Sequence, residues 1–206
     1  MEELRSGVEG LRGAGHEVWP EYTFEAGDGE RMARSAAGRG ADLIIAAGGD
    51  GTVHEVVNGA ASVGWRGPLG VVPLGTANDF AGTLGIPESV PAALEAAVEG
   101  DAIRVDLPRV NDQYFVNVST GGFGAMATED TPDEAKRLLG PLAYLITGVQ
   151  KFSELRPSPA RFSTGEEEKY RGEVMLYAVG NGPRTGAGSR LTPAADFQDG
   201  LLGVVI

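Results

Sequence analysis

The sequence has no cysteine, which excludes disulfides and thiolate metal sites and allows a reducing compartment. Its two histidines, His16 and His54, are too few and too dispersed for an imidazole metal cluster. Basic residues are also short, with 17 Lys and Arg against 29 Asp and Glu. The resulting charge of −12 repels nucleic acid over long range, and no local Lys/Arg run offsets it. No apolar stretch approaches the roughly 20 residues of a membrane span. The opening MEELRSGVEGLRG lacks the apolar segment of a secretion signal. These absences lead us to expect a cytoplasmic protein whose contact with membranes is peripheral.

What is present is enough apolar material, 42 % of 206 residues, for one large domain or two small ones. Leu4, Val8 and Leu11 have the spacing of an amphipathic helix that Gly13 and Gly15 would stop. His16 to Tyr22 reads as a strand, with Pro20 arguing for an edge position or an early end. Arg31 to Ala37 is rich in helix formers. Leu43 to Ala47 and Leu69 to Val72 read as short buried strands, with Val53, Val56 and Val57 at helical spacing between them. Strand, helix, strand implies parallel pairing through a right-handed crossover. Pro91 to Val98 suggests another helix. The texture changes near Asp101 to Pro108, giving an expected lobe over 1–105 and a β-rich lobe over 106–206. In the second, Tyr114 to Val118 and Glu173 to Val179 read as strands and Ser163 to Lys169 as a hairpin tip. Leu142, Leu145, Ile146, Val149 and Phe152 make one apolar stripe on a helix from Leu138 to Leu155; it reads as core, with a lipid-facing role as the alternative.

Two loops carry the chemistry. Gly48-Gly49-Asp50-Gly51-Thr52 lies where a buried strand gives way to a helix, at the carboxyl edge where open parallel sheets bind ligands. Its glycines allow close backbone approach, and the first helical turn offers N–H groups to an anion. Asp50 cannot attract phosphate, so orienting Mg²⁺ or its waters is its natural purpose. An ordinary capped turn would look the same. The second loop, Pro73-Leu74-Gly75-Thr76-Ala77-Asn78-Asp79-Phe80, follows the next strand and so falls on the same sheet edge. No G-x-x-x-x-G-K-[ST] occurs, which excludes a P-loop. Gly122 to Ala127 fits the loose dinucleotide pattern, but the acidic residues and Pro132 after it argue against one.

The runs GGDGTVHEVVNG and PLGTANDFAGTLGIP resemble the two characteristic motifs of the diacylglycerol kinase catalytic-domain family, which includes bacterial lipid kinases and sphingosine kinases. The likeness continues through Arg104-Val105-Asp106-Leu107, Phe115 to Gly124, Asn181-Gly182 and Asp199-Gly200-Leu201-Leu202. It implies a doubly wound α/β nucleotide lobe like that of NAD kinases, followed by a β-rich lobe, with the active site between. It implies ATP contacts at Thr23, Gly48, Gly49, Asp50, Gly51, Thr52, Val53, His54, Glu55, Gly75, Thr76, Asn78 and Asp79. A structural Mg²⁺ site would use Asp199 with main-chain oxygens of Asp196 and Leu201; a plain surface turn is the alternative. The implied reaction is ATP-dependent phosphorylation of a lipid alcohol, and a homodimer is compatible with it.

The family pattern also has an Asn-Pro-x-Ser-Gly phosphate loop ahead of the first helix seen here. Beyond the DG-L-L segment it has an Asp-Gly-Glu motif whose Glu is thought to act as general base. Neither occurs in this sequence, so a domain short at both ends is expected. A family glycine triplet appears as Gly186-Ala187-Gly188. Rival readings are an NAD kinase-like or other small-molecule kinase, and a non-catalytic nucleotide-binding remnant; Leu74 to Phe80 favours the lipid branch.

Overall fold

A computed structural model describes residues 2–122, 157–186 and 189–206. The expected helix over Leu138 to Leu155, its apolar stripe and Ala187-Gly188 lie outside them, as does all but the first residue of the Gly122 to Ala127 pattern. The chain divides into two compact units, Met1–Val116 and Asn117–Ile206.

The first unit is built on two parallel strands, β1 (Ile44–Gly48) and β2 (Leu69–Pro73), joined by helix α3 (Asp50–Ser62). Their register pairs Ile45 with Gly70 and Ala47 with Val72, so these four share one face. Helices α1 (Glu2–Gly13) and α5 (Val90–Glu99) cover it: Val72, Val90, Ala93 and Leu94 form a buried cluster against which Leu4, Leu11, Ile45 and Ala47 pack. Gly70 is bare because a Cβ there would meet that of Ala97, on α5, at 2.7 Å. Ile44, Ala46 and Val71 point the other way and are buried with Val53, Val56 and Val57 of α3. Helix α2 (Asp28–Gly38) packs on α3, and Gly59 permits it, since a Cβ there would strike the Glu30 carbonyl. Helices thus lie on both faces of the parallel pair, the doubly wound arrangement that the resemblance implied.

Local chemistry sets the helix ends. Glu2 and Glu3 open α1 and Arg12 closes it, complementing the helix dipole. Pro91 stands in the first turn of α5, where its missing N–H costs nothing. Two expectations need correction. His16 to Tyr22 belongs to no strand: no described strand runs beside it, and side chains hold it instead. Arg12 Nη2 donates to the Val18 carbonyl at 2.7 Å, and Arg39 bonds Glu21 at 2.6 Å while lying over the Trp19 ring. Asp79 and Phe80, read as the end of the second loop, open a short helix, α4 (Asp79–Leu84).

The first unit runs past the change of texture at Asp101 to Pro108. Hairpin strands β3 (Arg109–Val110) and β4 (Gln113–Tyr114) attach to α3 through buried Asn58, which accepts from the Tyr114 N–H at 2.8 Å and donates to its carbonyl at 2.9 Å.

The second unit is antiparallel among its described residues. Strands β5 (Val118–Gly122), β8 (Leu176–Gly180) and β9 (Gly203–Val205) form one sheet in the order β5-β8-β9. Strands β6 (Ser158–Thr164) and β7 (Glu167–Val174) form a hairpin that turns at Gly165, φ +60°, within the expected tip. The expected strand from Tyr114 to Val118 is broken because its partners change: Tyr114 pairs with Asn58, whereas Asn117 accepts from the N–H groups of Asn181 and Gly182. The expected strand from Glu173 to Val179 breaks at Met175 for the same reason, β7 pairing with β6 and β8 with β5.

Candidate functional site

The register that pairs Gly48 with Pro73 ends both parallel strands at one level, so the loops after them leave side by side. Leu74 N–H donates to the Gly48 carbonyl at 3.0 Å, carrying the pairing one residue into the loops. There the two backbones touch: a Cβ on Gly75 would stand 2.5 Å from the Gly49 Cα and 2.9 Å from Asn78 Oδ1, and one on Gly49 would stand 3.1 Å from the Gly75 Cα. At Gly75 only hydrogen allows this approach, and at Gly49 a Cβ would need a shift of a few tenths of an ångström. The glycine turns therefore share one rim, in contact.

Two side chains fix the second loop. Asn78, at φ +50°, spans Gly75 with its amide, accepting from the Gly75 N–H at 2.9 Å and donating to its carbonyl at 2.8 Å. Asparagine is among the few side chains that tolerate this left-handed backbone. Its amide being occupied, it does not cap α4. Asp50 does so from the other loop, its carboxylate accepting from the Asp79 and Phe80 N–H groups at 3.0 Å each. One carboxylate thus binds the start of α3 to the start of α4 and neutralises the positive end of the latter.

At its own start α3 has no side-chain cap. The N–H groups of its first turn lack intrahelical partners, which is the chemistry an anion satisfies. Thr52 folds over Gly48, whose position a Cβ would contest. Val53 is buried in the core and its N–H donates to Gly49, so it serves packing. His54 lies on α3, its carbonyl accepting from Asn58. Thr76 is exposed on the second loop, and Asp79 is buried beneath it, its carbonyl accepting from Thr83.

Thr23 lies in a separate loop that leads into α2. Asp28 shapes it by accepting from the Phe24 and Glu25 N–H groups at 2.8 and 3.2 Å and from Arg31 at 2.8 Å. The Phe24 N–H above all, then the Arg31 guanidinium and the Glu25 N–H, hold the Asp28 carboxyl down at about 2, against an ordinary 3.8. Glu55 reaches the same loop from α3 and accepts from Gly27 and Gly29. Sequence reasoning missed Asp28 as a loop organiser; an Asp opening a helix between two glycines was the available signal.

In the second unit, Asp196 and Asp199 each close a tight turn onto their own backbone, accepting from the Gln198 N–H at 3.0 Å and the Leu201 N–H at 2.8 Å. Gly200, between Asp199 and Leu201, takes φ +69°. Among the described residues no group of three or more His, Asp or Glu gathers for a metal. A carboxylate with main-chain carbonyls remains an oxygen-only donor set of the kind hard cations take.

Comparison with known proteins agrees with this anatomy. Residues 2–110 match the diacylglycerol kinase catalytic domain, and residues 117–206 match the YegS C-terminal NAD kinase beta sandwich-like domain. The chain therefore belongs to the diacylglycerol kinase catalytic-domain family. Two similar relatives carry the name "Probable lipid kinase YegS-like". One, from Chromohalobacter salexigens, is 44 % identical over all of this chain and 67 % of its own length. The other, from Cronobacter sakazakii, is 42 % identical over 98 % of this chain and 68 % of its own. A crystal structure of a diacylglycerol kinase from Bacillus anthracis superposes with a TM-score of 0.78 at 29 % identity, covering 97 % of this chain and 65 % of that one. The chain thus spans about two thirds of the length of the relatives it matches. The family is that of the lipid kinases, as the two loop motifs suggested.

Proposed function

We propose that this chain supplies the nucleotide site of a lipid kinase that moves the terminal phosphoryl group of Mg-ATP to the hydroxyl of diacylglycerol or a related lipid. The observation that carries this reading is the contact of the two glycine turns on one rim, beside the uncapped start of α3. Backbone N–H groups from Gly48 to Thr52 would hold the phosphates, with Gly75 and Thr76 facing them from the second loop. Asp50 and Asn78 keep those loops in place, and Thr23 meets the nucleotide from the loop before α2. Phosphoryl transfer suits such a site because positioning and charge stabilisation do most of the work. A bound Mg²⁺ would neutralise charge developing on the phosphate oxygens. Asp50 is the carboxylate we assign to orienting its waters, and Asp199 with the carbonyls of Asp196 and Leu201 would hold a separate structural cation. Such a substrate resides in a membrane, so peripheral contact at a cytoplasmic face is part of this reading.

The test has two arms. Mg-ATP at about 100 times its Kd should stabilise the chain by roughly 2.7 kcal/mol and raise its melting temperature. Radiolabel from ATP should pass to diacylglycerol in mixed vesicles when a full-length relative is assayed. Absence of any melting shift at millimolar Mg-ATP would refute nucleotide binding. Binding by this chain with no transfer by the relative would refute the lipid kinase reading and favour a nucleotide-binding remnant.

A further inference from the structure

The N-terminus of α2 and the middle of α3 are joined by a single side chain. Gly27, immediately before α2, has φ +87° and offers no side-chain cap. Its N–H and that of Gly29 are among the donors a helix start leaves without partners. Glu55, five residues into α3, accepts both: Oε1 from Gly27 at 3.0 Å and Oε2 from Gly29 at 2.9 Å. A negative group is placed where the α2 dipole is positive. Gly29 must be glycine for the carboxylate to sit there, because a Cβ would lie 2.8 Å from Oε2 and 3.0 Å from the Glu55 Cβ.

The clasp has a consequence for the site. The same helix that presents its first-turn N–H groups at the glycine rim carries, about one turn further on, the residue that fixes the Thr23 loop. Asp28, which opens α2, in turn accepts from the N–H groups of Phe24 and Glu25, the two residues that follow Thr23. Hydrogen bonds and the short backbone between them therefore link α3, through Glu55 and the start of α2, to Phe24, the residue after Thr23. The resemblance implied Glu55 as an ATP contact, yet both of its carboxylate oxygens are engaged by protein amides.

We propose that Glu55 is a positioning residue for the nucleotide: it acts through the loop of residues 23–29, setting the distance between Thr23 and the N-terminus of α3. The inference rests on the nucleotide-binding reading above and adds how its separate loop is registered to the glycine turns. Glu55→Ala removes both acceptors, while Glu55→Gln keeps one and turns an amide donor toward the other N–H. Gly29→Ala leaves the carboxylate intact but forces it away.

The experiment is calorimetric titration of the whole chain with Mg-ATP, for wild type, E55Q, E55A, G29A, T23A and the T23A/E55A double variant. Circular dichroism confirms folding, and E55Q provides the milder change should E55A unfold. Kd should rise roughly tenfold for E55A, about 1.4 kcal/mol, and less for E55Q. It should rise for G29A as well, although that variant keeps the carboxylate. Thr23→Ala should cost clearly less in the E55A background than in wild type, because the two residues then act as one unit. Additive effects of T23A and E55A would overturn the proposal, as would a lowered melting temperature with unchanged Kd. Wild type failing to bind Mg-ATP would instead strike the nucleotide reading and take this inference with it.

Discussion

Gly75→Ala tests the meeting of the two loops most directly. The added Cβ would lie 2.5 Å from the Gly49 Cα and 2.9 Å from Asn78 Oδ1, with neither a flexible side chain end nor open space to receive it. Ordinary carbon contacts are about 3.5–4.0 Å, so the loops must part by roughly 1 Å or more. Gly75 is not at positive φ, and the penalty is steric alone. Overpacking of this kind costs about 1–3 kcal/mol, the backbone clash favouring the upper half. For a chain of this length that lowers the melting temperature by roughly 2–12 °C. Separation of the loops should also weaken Mg-ATP binding roughly tenfold. Two companions calibrate the effect. Gly49→Ala brings a Cβ to 3.1 Å from the Gly75 Cα, which a shift of a few tenths of an ångström relieves. Gly51→Ala meets nothing within 4 Å and lies inside α3, where alanine is favoured by about 0.5–1 kcal/mol. Calorimetric melts and Mg-ATP titrations should therefore rank stability as G51A, G49A, G75A from highest to lowest. G75A melting within about 1 °C of wild type, or G51A damaged as severely as G75A, would refute the contact.

Two further outcomes are expected. Asp50→Asn leaves one acceptor for two backbone donors and presents an N–H to the other, so it should destabilise by roughly 1–3 kcal/mol in addition to impairing nucleotide binding; denaturant midpoints equal to wild type would show that α4 does not depend on it. Asp28 has its folded pKa depressed from 3.8 to about 2, so the unfolded chain binds the proton more readily and stability rises with pH across that window. The advantage of wild type over Asp28→Asn in urea midpoints should be complete above the ordinary carboxylate value and vanish as pH falls toward the depressed one, and an advantage constant across that range would contradict the assignment.

Much of the frame was legible because it depends on local pattern. Leu43 to Ala47 and Leu69 to Val72 are too short and apolar to be anything but buried strands, and the valines between them repeat at helical spacing. The glycine motifs announced the site through backbone freedom, a property that residue type alone conveys. What could not be read depends on partners far apart in sequence. Helix α4 has six residues, one of them glycine, and is capped by a carboxylate 29 residues upstream. The segment from His16 to Tyr22 reads as a strand but has no described neighbour to pair with. Breaks at Phe115–Asn117 and at Met175 record changes of hydrogen-bonding partner that no local propensity encodes.

The polar residues of the motifs divide by what their atoms touch. Asp50, Glu55 and Asn78 all fall within runs whose resemblance implies nucleotide contact, and each has a side chain bonded to protein backbone: to α4, to the start of α2 and to Gly75. A site that grips phosphates with main-chain N–H groups needs that division, because a loop of glycines has no side chains with which to hold its own shape. Glycine allows the close approach and costs the loop its rigidity. Carboxylates planted on a neighbouring helix and an amide within the loop itself restore it by fixing the backbone. Motif residues in such a site are therefore of two kinds, bare ones that meet the ligand and polar ones that hold the bare ones still. Substitutions of the second kind should betray themselves by lowering the unliganded melting temperature along with the affinity, as Gly51→Ala at the open start of α3 should not.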